Sequence, residues 1–279
     1  MENVTHSAYY DSDQPRRVIV SEITNLRRYR GLLRLLVQRD LTVRYKRSML
    51  GVWWTLLNPL LTVAVMWAVF STIFRFEIPG GVPYVVYVLS GVMLITFFSQ
   101  GVVASGSSIV GSAGTLSKVY VPAEVFAVAP ALAALVNFAI NIVLLLVVQL
   151  IAGVGIPVTV LLAPVPLLFL AMFVAGLGMV VASLAVAYRD VLDIVGVLLT
   201  LAMYATPGFY PVTIVPDQIL PFIYINPLYS YLEVFRGLVY GGTFAPGWMW
   251  AVMVLTSLVA LLGGAWTFSR SWRRLAVLV

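Results

Sequence analysis

Cysteine is absent from the 279 residues, histidine occurs once, at His6, and charged residues make up 10% of the chain. Without cysteine, the chain has neither a disulfide framework nor a thiolate metal site. Soluble domains carry about 25% charged residues, whereas this chain is 61% hydrophobic with a mean hydropathy of +1.00. A water-soluble core cannot hide that much apolar surface, so lipid must be the solvent for most of the chain.

Motifs of the common enzymes are missing as well. The sequence contains no Walker glycine loop ending in Gly-Lys-Ser/Thr, no His-Glu-x-x-His and no pair of carboxylates inside an apolar run. We therefore expect no catalytic residue and no metal site. The apolar runs also lack the relay of ionisable groups that a proton or ion pump needs.

Long uncharged runs predict an all-α integral membrane protein with six transmembrane helices. The first run, 48–74, is 27 residues long, and about 20 residues suffice to cross a hydrocarbon core of about 30 Å. Clusters of glycine, proline and charge divide the rest of the chain, and glycine and serine in 105–117 predict the inner end of span two and a turn. The predicted spans are 51–74, 83–104, 125–151, 165–187, 193–213 and 247–268.

The remaining segments differ in composition. Residues 1–25 form a polar tail, and leucines and arginines occupy opposite helical faces in 26–47, which predicts an amphipathic interfacial helix on the membrane surface. Proline recurs through 214–246, so we predict short re-entrant helices between spans five and six rather than another crossing. The membrane domain therefore comprises 48–279 and ends in the basic tail 269–279.

Basic residues are unequally divided between the two sides of the membrane. With a cytosolic N-terminus, 15 of the 17 basic residues are cytosolic, and only Arg75 and Arg236 lie outside. The positive-inside rule therefore predicts that both termini are cytosolic, and the tail 1–25 with them. This distribution accounts for most of the net charge of +6 without a nucleic-acid partner.

Glu233 and Arg236 are the charges expected at membrane depth on the outer side. Their i, i+3 spacing places both on one helical face, which predicts a structural ion pair in preference to a role in substrate binding.

Several short motifs follow one another in a distinctive order. They are Arg39-Asp40-Leu41, Arg44-Tyr45-Lys46-Arg47-Ser48, Leu50-Gly51, Trp53-Trp54 and Pro59, then Lys118-Val119-Tyr120-Val121-Pro122, Tyr188-Arg189-Asp190 and Asn226-Pro227. With these motifs the chain, from about residue 25 to its end, resembles the transmembrane subunit of type-two ABC exporters of polysaccharides and teichoic acids. The resemblance implies that 48–279 is a six-span permease domain in a bacterial plasma membrane.

The resemblance also implies a half-transporter. Two copies of the chain would pair, and each would bind a separate cytosolic ATPase that holds ATP and Mg²⁺, so this chain would need no cofactor of its own. The short polar island between spans two and three would be the coupling helix that docks on the ATPase, and the helix in 26–47 would contact the ATPase too. The residues of this island are Lys118, Val119, Tyr120, Val121, Pro122 and Glu124.

The substrate that the resemblance implies is a lipid-linked polysaccharide, either an O-antigen, a cell-wall galactan or a chain like teichoic acid. Aromatic rings suit a sliding sugar chain because they pack on its C–H faces; the candidate channel-lining rings are Trp67, Phe70, Phe74, Tyr204, Phe209 and Tyr210. Basic residues at the cytosolic mouth would meet a pyrophosphate; the mouth comprises Arg39, Asp40, Arg44, Tyr45, Lys46 and Arg47. Interfacial packing of the rings and positive-inside anchoring explain the same residues.

Two alternatives stay open at this point. One is a drug or small-lipid exporter of the same fold. The other is a membrane-embedded glycosyl- or acyltransferase, whose candidate carboxylates would be the scattered Glu77, Asp193, Asp217 and Glu233.

Overall fold

The computed structural model describes residues 28–46, 48–70, 78–116, 123–188 and 190–278. Regular secondary structure in these residues is entirely helical, which confirms the predicted class. The helices are α1 (Arg30–Tyr45), α2 (Trp53–Val69), α3 (Tyr84–Gly111), α4 (Ala113–Leu116), α5 (Ala123–Ile151), α6 (Pro164–Ala187), α7 (Val191–Ala205), α8 (Leu220–Ile225), α9 (Pro227–Arg236) and α10 (Gly247–Leu278). Short turns connect them at Pro79–Gly81, Val158–Leu162, Val212–Ile214 and Gly237–Gly241, the last of which is a π-turn.

Four helical segments in the described residues are long and apolar enough to cross a membrane. They are α3, α5, Val158–Ala187 and Gly247–Ser271. The helices α2 and α7 are also apolar but have 17 and 15 residues, which corresponds to about 26 and 22 Å at 1.5 Å per residue. The chain is therefore a multi-pass helical membrane protein.

The bounds of two predicted spans need correction. The second span does not end at 104, because α3 continues to Gly111. Ser105 and Gly106 face α6 rather than lipid: a Cβ added at Gly178 of α6 would lie 2.3 Å from the Cβ of Ser105, and one added at Gly106 would lie 2.4 Å from the Val181 side chain. Small residues are favoured where membrane helices approach this closely. The fifth span does not reach 213, because α7 ends at Ala205 and the Pro207-Gly208 pair prevents its continuation.

The predicted tail 269–279 is not a separate segment. Helix α10 continues through it to Leu278, since neither glycine nor proline follows Gly264 in the sequence. Arginine, leucine and alanine, which favour helix, make up much of this stretch.

Helix α6 is packed between α3 and α10. A Cβ at Gly176 would lie 2.3 Å from the backbone carbon of Ala260, and one at Gly264 would lie 2.3 Å from the carbonyl oxygen of Gly176, so α6 and α10 touch backbone to backbone. On the other side, the ring of Phe173 stacks between those of Phe98 and Tyr231, with centroid distances of 5.6 and 5.5 Å.

The apolar face of α1 packs on protein. Leu36 is buried in a second core cluster together with Phe126 of α5, Met179 of α6 and Phe268 of α10. Tyr29, Leu32, Leu33 and Val37 surround this contact. The helix predicted to lie on the membrane surface thus has its hydrophobic stripe against one end of the helical bundle, and its arginines remain on the opposite face.

Candidate functional site

Polar side chains from three apolar helices line one cleft, which we call the amide cleft. They are Thr55, Asn58 and Thr62 of α2, Thr96 and Gln100 of α3, and Asn137 and Asn141 of α5. On each helix these residues are three or four positions apart and therefore share a face. The cleft has a volume of about 470 Å³, and Arg44 is the one charged residue among the described residues of its lining.

A second space adjoins the amide cleft, which we call the mouth cavity. Its volume is about 520 Å³, and its polar lining includes Arg39 and Asp40 of α1 and Ser107 and Ser108 of α3. The two spaces have lining residues in common, namely Arg44, Gln100, Ala134 and Asn137. Together they form one polar path that leads from α1 into the membrane helices.

Arg44 and Tyr45 attach α1 to this path. The Tyr45 hydroxyl donates to Oδ1 of Asn137 at 2.8 Å and also contacts Oγ1 of Thr55. Nη1 of Arg44 donates to Oε1 of Gln100 at 3.4 Å. Arg39 forms an ion pair with Asp40 at 2.9 Å, whereas no carboxylate pairs with Arg44 among the described residues. The exposed guanidinium of Arg44 is therefore the charge best placed to meet an anion at this end of the cleft.

The predicted mouth residues lie at different positions relative to the path. Arg39, Asp40, Arg44 and Tyr45 line it. Lys46 is exposed and is not part of the lining of either space. Arg47 lies outside the described residues.

The predicted channel aromatics are dispersed. Phe209 lines the amide cleft, whereas Trp67 and Tyr204 lie on exposed helix faces. The ring of Phe70 lies 6.1 Å from that of Tyr84, and the Tyr210 hydroxyl donates to the Tyr204 carbonyl at 3.0 Å. Phe74 falls outside the described residues.

Most of the predicted coupling island is not described. Lys118, Val119, Tyr120, Val121 and Pro122 lie outside the described residues, and Glu124 belongs to the first turn of α5.

Sequence reasoning missed the amides Asn58, Gln100, Asn137 and Asn141. The signal was available, because each apolar run carries polar residues at helical spacing, and polar residues inside membrane helices face the bundle interior or a water-filled cavity. The side-chain amide oxygen Oδ1 of Asn141 is buried and has no hydrogen-bond partner in the described part of the chain. A buried acceptor of this kind is available to a ligand.

The other polar centre is formed around Arg236, and we call it the Arg236 hub. The side chain is 3% exposed, and its guanidinium carbon lies 3.6 Å from the ring centroid of Tyr87. All five of its N–H donors have acceptors: Nε donates to Ser90 Oγ at 3.2 Å, Nη1 to the Pro207 carbonyl at 3.0 Å and to Glu233 Oε1 at 3.3 Å, and Nη2 to the carbonyls of Tyr87 and Gly208, each at 3.1 Å.

The hub holds the unwound segment 206–211 that follows α7. The Tyr84 hydroxyl donates to the Phe209 carbonyl at 2.7 Å, and that of Tyr87 to the carbonyls of Pro207 and Tyr210 at 3.1 and 2.9 Å. Side-chain donors thus replace the backbone N–H groups that a continuous helix would supply to these carbonyls. Irregular backbone at membrane depth requires such partners.

Two further contacts fix the neighbourhood of the hub. A Cβ at Gly91 of α3 would lie 2.3 Å from the carbonyl oxygen of Gly208, so only glycine fits there. At the π-turn, Nε2 of Gln149 donates to the Val239 carbonyl at 3.2 Å and Oγ1 of Thr159 to the Leu238 carbonyl at 2.8 Å. Several side-chain bonds to backbone oxygens therefore hold this end of the bundle together.

No acidic centre suited to catalysis is assembled from the described residues. Glu233 is engaged by Arg236, Asp193 and Asp217 are exposed on other elements, and Glu77 is not described. The described residues also contain no group of three side chains that would hold a metal ion.

A helical bundle with a polar path that leads from α1 in among its helices, with Arg39, Asp40 and Arg44 at the α1 end, has the features of a membrane transport protein. Residues 31–240 match the ABC-2 type transporter family, and the chain belongs to this family. It is similar to the O-antigen export system permease protein RfbA of Myxococcus xanthus, with 34% identity over 78% of this chain and 84% of that protein. Two proteins of the same name from Klebsiella pneumoniae are 26% and 24% identical to it, each over 88% of this chain and 93% of the relative. The chain is therefore a permease subunit rather than an enzyme, and ATP is hydrolysed on a separate subunit.

Proposed function

We propose that this chain exports a lipid-linked polysaccharide of the O-antigen type from the cytosolic to the outer side of the bacterial plasma membrane, as the permease of an ABC transporter. A cell-wall galactan or a chain like teichoic acid belongs to the same substrate class. The amide cleft is the observation that supports this proposal most strongly, and the similarity to O-antigen export permeases agrees with it.

The lining of the amide cleft matches the chemistry of a sugar chain. Each sugar hydroxyl both donates and accepts a hydrogen bond, and so do carboxamides and hydroxyls such as those of Asn58, Thr62 and Asn141. Neutral groups hold a sliding chain less firmly than fixed charges would, since bonds to charged groups are roughly twice as strong. Pockets for drug-like molecules carry few polar groups, whereas seven threonine, asparagine and glutamine side chains line this cleft, which favours a polysaccharide over a drug or a small lipid.

Arg44 supports a role for the mouth in binding the lipid-linked end of the substrate. A pyrophosphate offers oxygens that a guanidinium binds through two parallel N–H bonds. Because Arg44 lines both the mouth cavity and the amide cleft, an anion held there would leave the attached sugars at the entrance to the cleft.

The proposed topology has six spans with both termini in the cytosol. It adds α2 and α7 to the four long segments, although each is shorter than a hydrocarbon core of about 30 Å. After α7, the segment 206–211 would complete the crossing within protein, and α8 and α9 would re-enter the outer half of the membrane. The bonds of the Arg236 hub support this reading because they satisfy the backbone that would otherwise face lipid.

Two copies of the chain form the proposed transporter. Helix α7 has no buried residue and α2 has one, Val63, so both carry large apolar side chains on open faces. These include Leu61, Val65, Trp67, Val197, Leu201 and Tyr204. A second copy that packs against these two helices would enclose the amide cleft and exclude lipid from a polar substrate.

The island 118–122 is the proposed coupling element, and α1 is proposed to contact the same ATPase. Val119 and Tyr120 are its apolar residues, and a charge introduced there would have to be desolvated in the groove of the partner. The double variant Val119→Asp, Tyr120→Asp should insert normally but lose ATP-driven export. Normal export by this variant would show that the island is only a loop.

Co-expression with the ATPase encoded beside this chain tests the proposed function. We expect a stable complex of two permeases and two ATPases that hydrolyses ATP and restores surface polysaccharide to a strain without its own permease. A chain that purifies without any ATPase would contradict the proposed complex.

A further inference from the structure

A third cavity opens beside the Arg236 hub, and we call it the outer cavity. Tyr87, which lines it, lies near the first turn of α3, whereas Ser107 and Ser108 of the mouth cavity lie near the last turns. The two cavities are therefore at opposite ends of the bundle. The outer cavity has a volume of about 420 Å³, within the range of ~300–1,000 Å³ that is usual for small-ligand sites.

Polar groups without protein partners line this cavity. The Glu233 side chain is 32% exposed and is held by Arg236 through Oε1. The hydroxyls of Tyr229 and Thr243 also line it. In the described part of the chain, Glu233 has no other hydrogen-bond partner and these two hydroxyls have none. One carboxylate oxygen and two hydroxyls are thus available within a single cavity.

An aromatic ring borders the same space. Phe244 lines the cavity, and its side chain is 63% exposed. A ring of this kind packs on the C–H face of a sugar, while a carboxylate accepts from neighbouring hydroxyls in charge-assisted bonds.

A metal cation suits the cavity poorly. Calcium takes six to eight oxygen ligands, and Glu233 is the only acidic residue among the described residues that line the cavity. The guanidinium of Arg236, 3.3 Å from Oε1, already compensates its charge. The combination of one compensated carboxylate, two hydroxyls and an open ring is selective for a neutral polyol.

We propose that the outer cavity binds one neutral pyranose unit, through Glu233, Tyr229 and Phe244. The natural ligand of the cavity rests on the proposed function: the pyranose unit belongs to the polysaccharide that emerges at the outer side. Each subunit then carries its own sugar site, beside the hub and apart from the amide cleft. Retention of an emerging sugar there would oppose backward sliding of the chain between ATP cycles.

Because the chain contains no cysteine, a cysteine introduced beside this cavity is the only thiol of the chain that a label can modify. A fluorine-labelled cysteine at Ile214, which is 49% exposed and adjoins the lining residue Thr213, is titrated in the intact complex in nanodiscs. The probes are the methyl glycosides of glucose, galactose, mannose and N-acetylglucosamine. The reference label is placed at Phe222, which is 74% exposed and outside the lining.

We expect at least one glycoside to shift the fluorine resonance at position 214 saturably and to leave that at position 222 unchanged. Phe244→Ala and Glu233→Gln should each raise the half-saturating concentration about fivefold. Asp217→Asn, which removes an exposed carboxylate outside the cavity, should leave it unchanged.

No saturable shift with any of the four glycosides would overturn the inference, and so would equal half-saturation in wild type, Phe244→Ala and Glu233→Gln. Export by the same labelled proteins is measured in cells that lack their own permease. If the protein labelled at position 214 exports polysaccharide but its fluorine resonance does not shift, this inference alone is overturned. If the resonance shifts but the labelled protein does not export, the proposed function is overturned.

Discussion

The Arg236 hub and the amide cleft both place polar groups among apolar helices, but they satisfy them differently. The hub contains a full charge, and all five of its donors have protein acceptors. The amide cleft contains neutral groups, and at Asn141 a buried acceptor has no partner in the described part of the chain. A saturated network stabilises one arrangement of the backbone, whereas an unsaturated one is available to a ligand. We therefore expect the Arg236 guanidinium to hold the backbone and the amide cleft to bind the substrate.

The largest expected effect is that of removing the hub charge. Arg236→Leu removes the donor to the Gly208 carbonyl and one of the donors to the carbonyls of Tyr87 and Pro207, and a buried unsatisfied group costs about 1–3 kcal/mol. We expect little folded protein, and in what remains a thermal midpoint lowered by about 10 °C, at ~2–4 °C per kcal/mol.

Size-exclusion chromatography and thermal unfolding in detergent measure this effect. Arg236→Lys supplies three donors instead of five and should be intermediate. A stable Arg236→Leu variant would show that the hub is not what holds the segment 206–211.

The next effect concerns the close contact at the hub. Gly91→Ala places a Cβ 2.3 Å from the carbonyl oxygen of Gly208, and overpacking of this kind costs about 1–3 kcal/mol. Its thermal midpoint should fall by about 5 °C. Gly196→Ala on α7 is the matched control, because nothing lies within 4 Å of its added Cβ; alanine there should raise the midpoint slightly. Equal midpoints for the two variants would contradict the contact.

How far these regions follow from the sequence depends on what limits each prediction. The bounds of α5 and α6 agree with the predicted spans 125–151 and 165–187 because clusters of glycine, proline and charge mark both ends. The pairing of Glu233 with Arg236 follows from helical spacing alone. The other acceptors of Arg236 are backbone oxygens from distant segments, and a carbonyl carries no sequence signal.

Other features depend on packing that the sequence does not reveal. Serine and glycine in 105–117 indicated a turn because they destabilise helix, but burial against α6 overrides that tendency. The residue pattern of α1 shows that its apolar face avoids water, but lipid and protein would bury it equally well. The sequence therefore does not reveal which of the two covers it. To predict the amide cleft, the polar stripes of three separate helices would have to be assigned to one space. Only the tertiary arrangement of α2, α3 and α5 shows that they meet.

In the amide cleft, we expect a loss of transport without a loss of stability. The side chains of Asn58 and Asn141 line the cleft and form no hydrogen bond with described residues. The variant Asn58→Leu, Asn141→Leu should therefore keep its thermal midpoint while export falls about tenfold, the effect of ~1.4 kcal/mol lost along the path.

Surface polysaccharide and ATPase association are measured together. Gln218→Leu, which removes an exposed amide outside the cleft, is the control and should export normally. A double variant that exports at the wild-type rate would exclude the cleft as the substrate path.

The smallest effect distinguishes substrate binding from membrane anchoring at the mouth. Arg44→Gln and Lys46→Gln each remove one cytosolic positive charge, but only Arg44 lines the path. We expect export to fall about threefold in Arg44→Gln and to remain unchanged in Lys46→Gln, since one exposed charge–anion contact contributes up to ~1 kcal/mol. Equal losses would favour anchoring, because both charges contribute alike to topology.

Cysteine accessibility in the amide cleft tests the central claim most directly. In the cysteine-free chain, Asn141→Cys lies in the cleft, while Val143→Cys lies on the same helix with a side chain that is 62% exposed outside it. A charged, membrane-impermeant thiol reagent should modify Asn141→Cys and then block export, and the lipid-linked substrate should slow this reaction. Val143→Cys should stay unreactive. Full modification of Asn141→Cys without any change in export would contradict the proposal that the polysaccharide passes through the cleft.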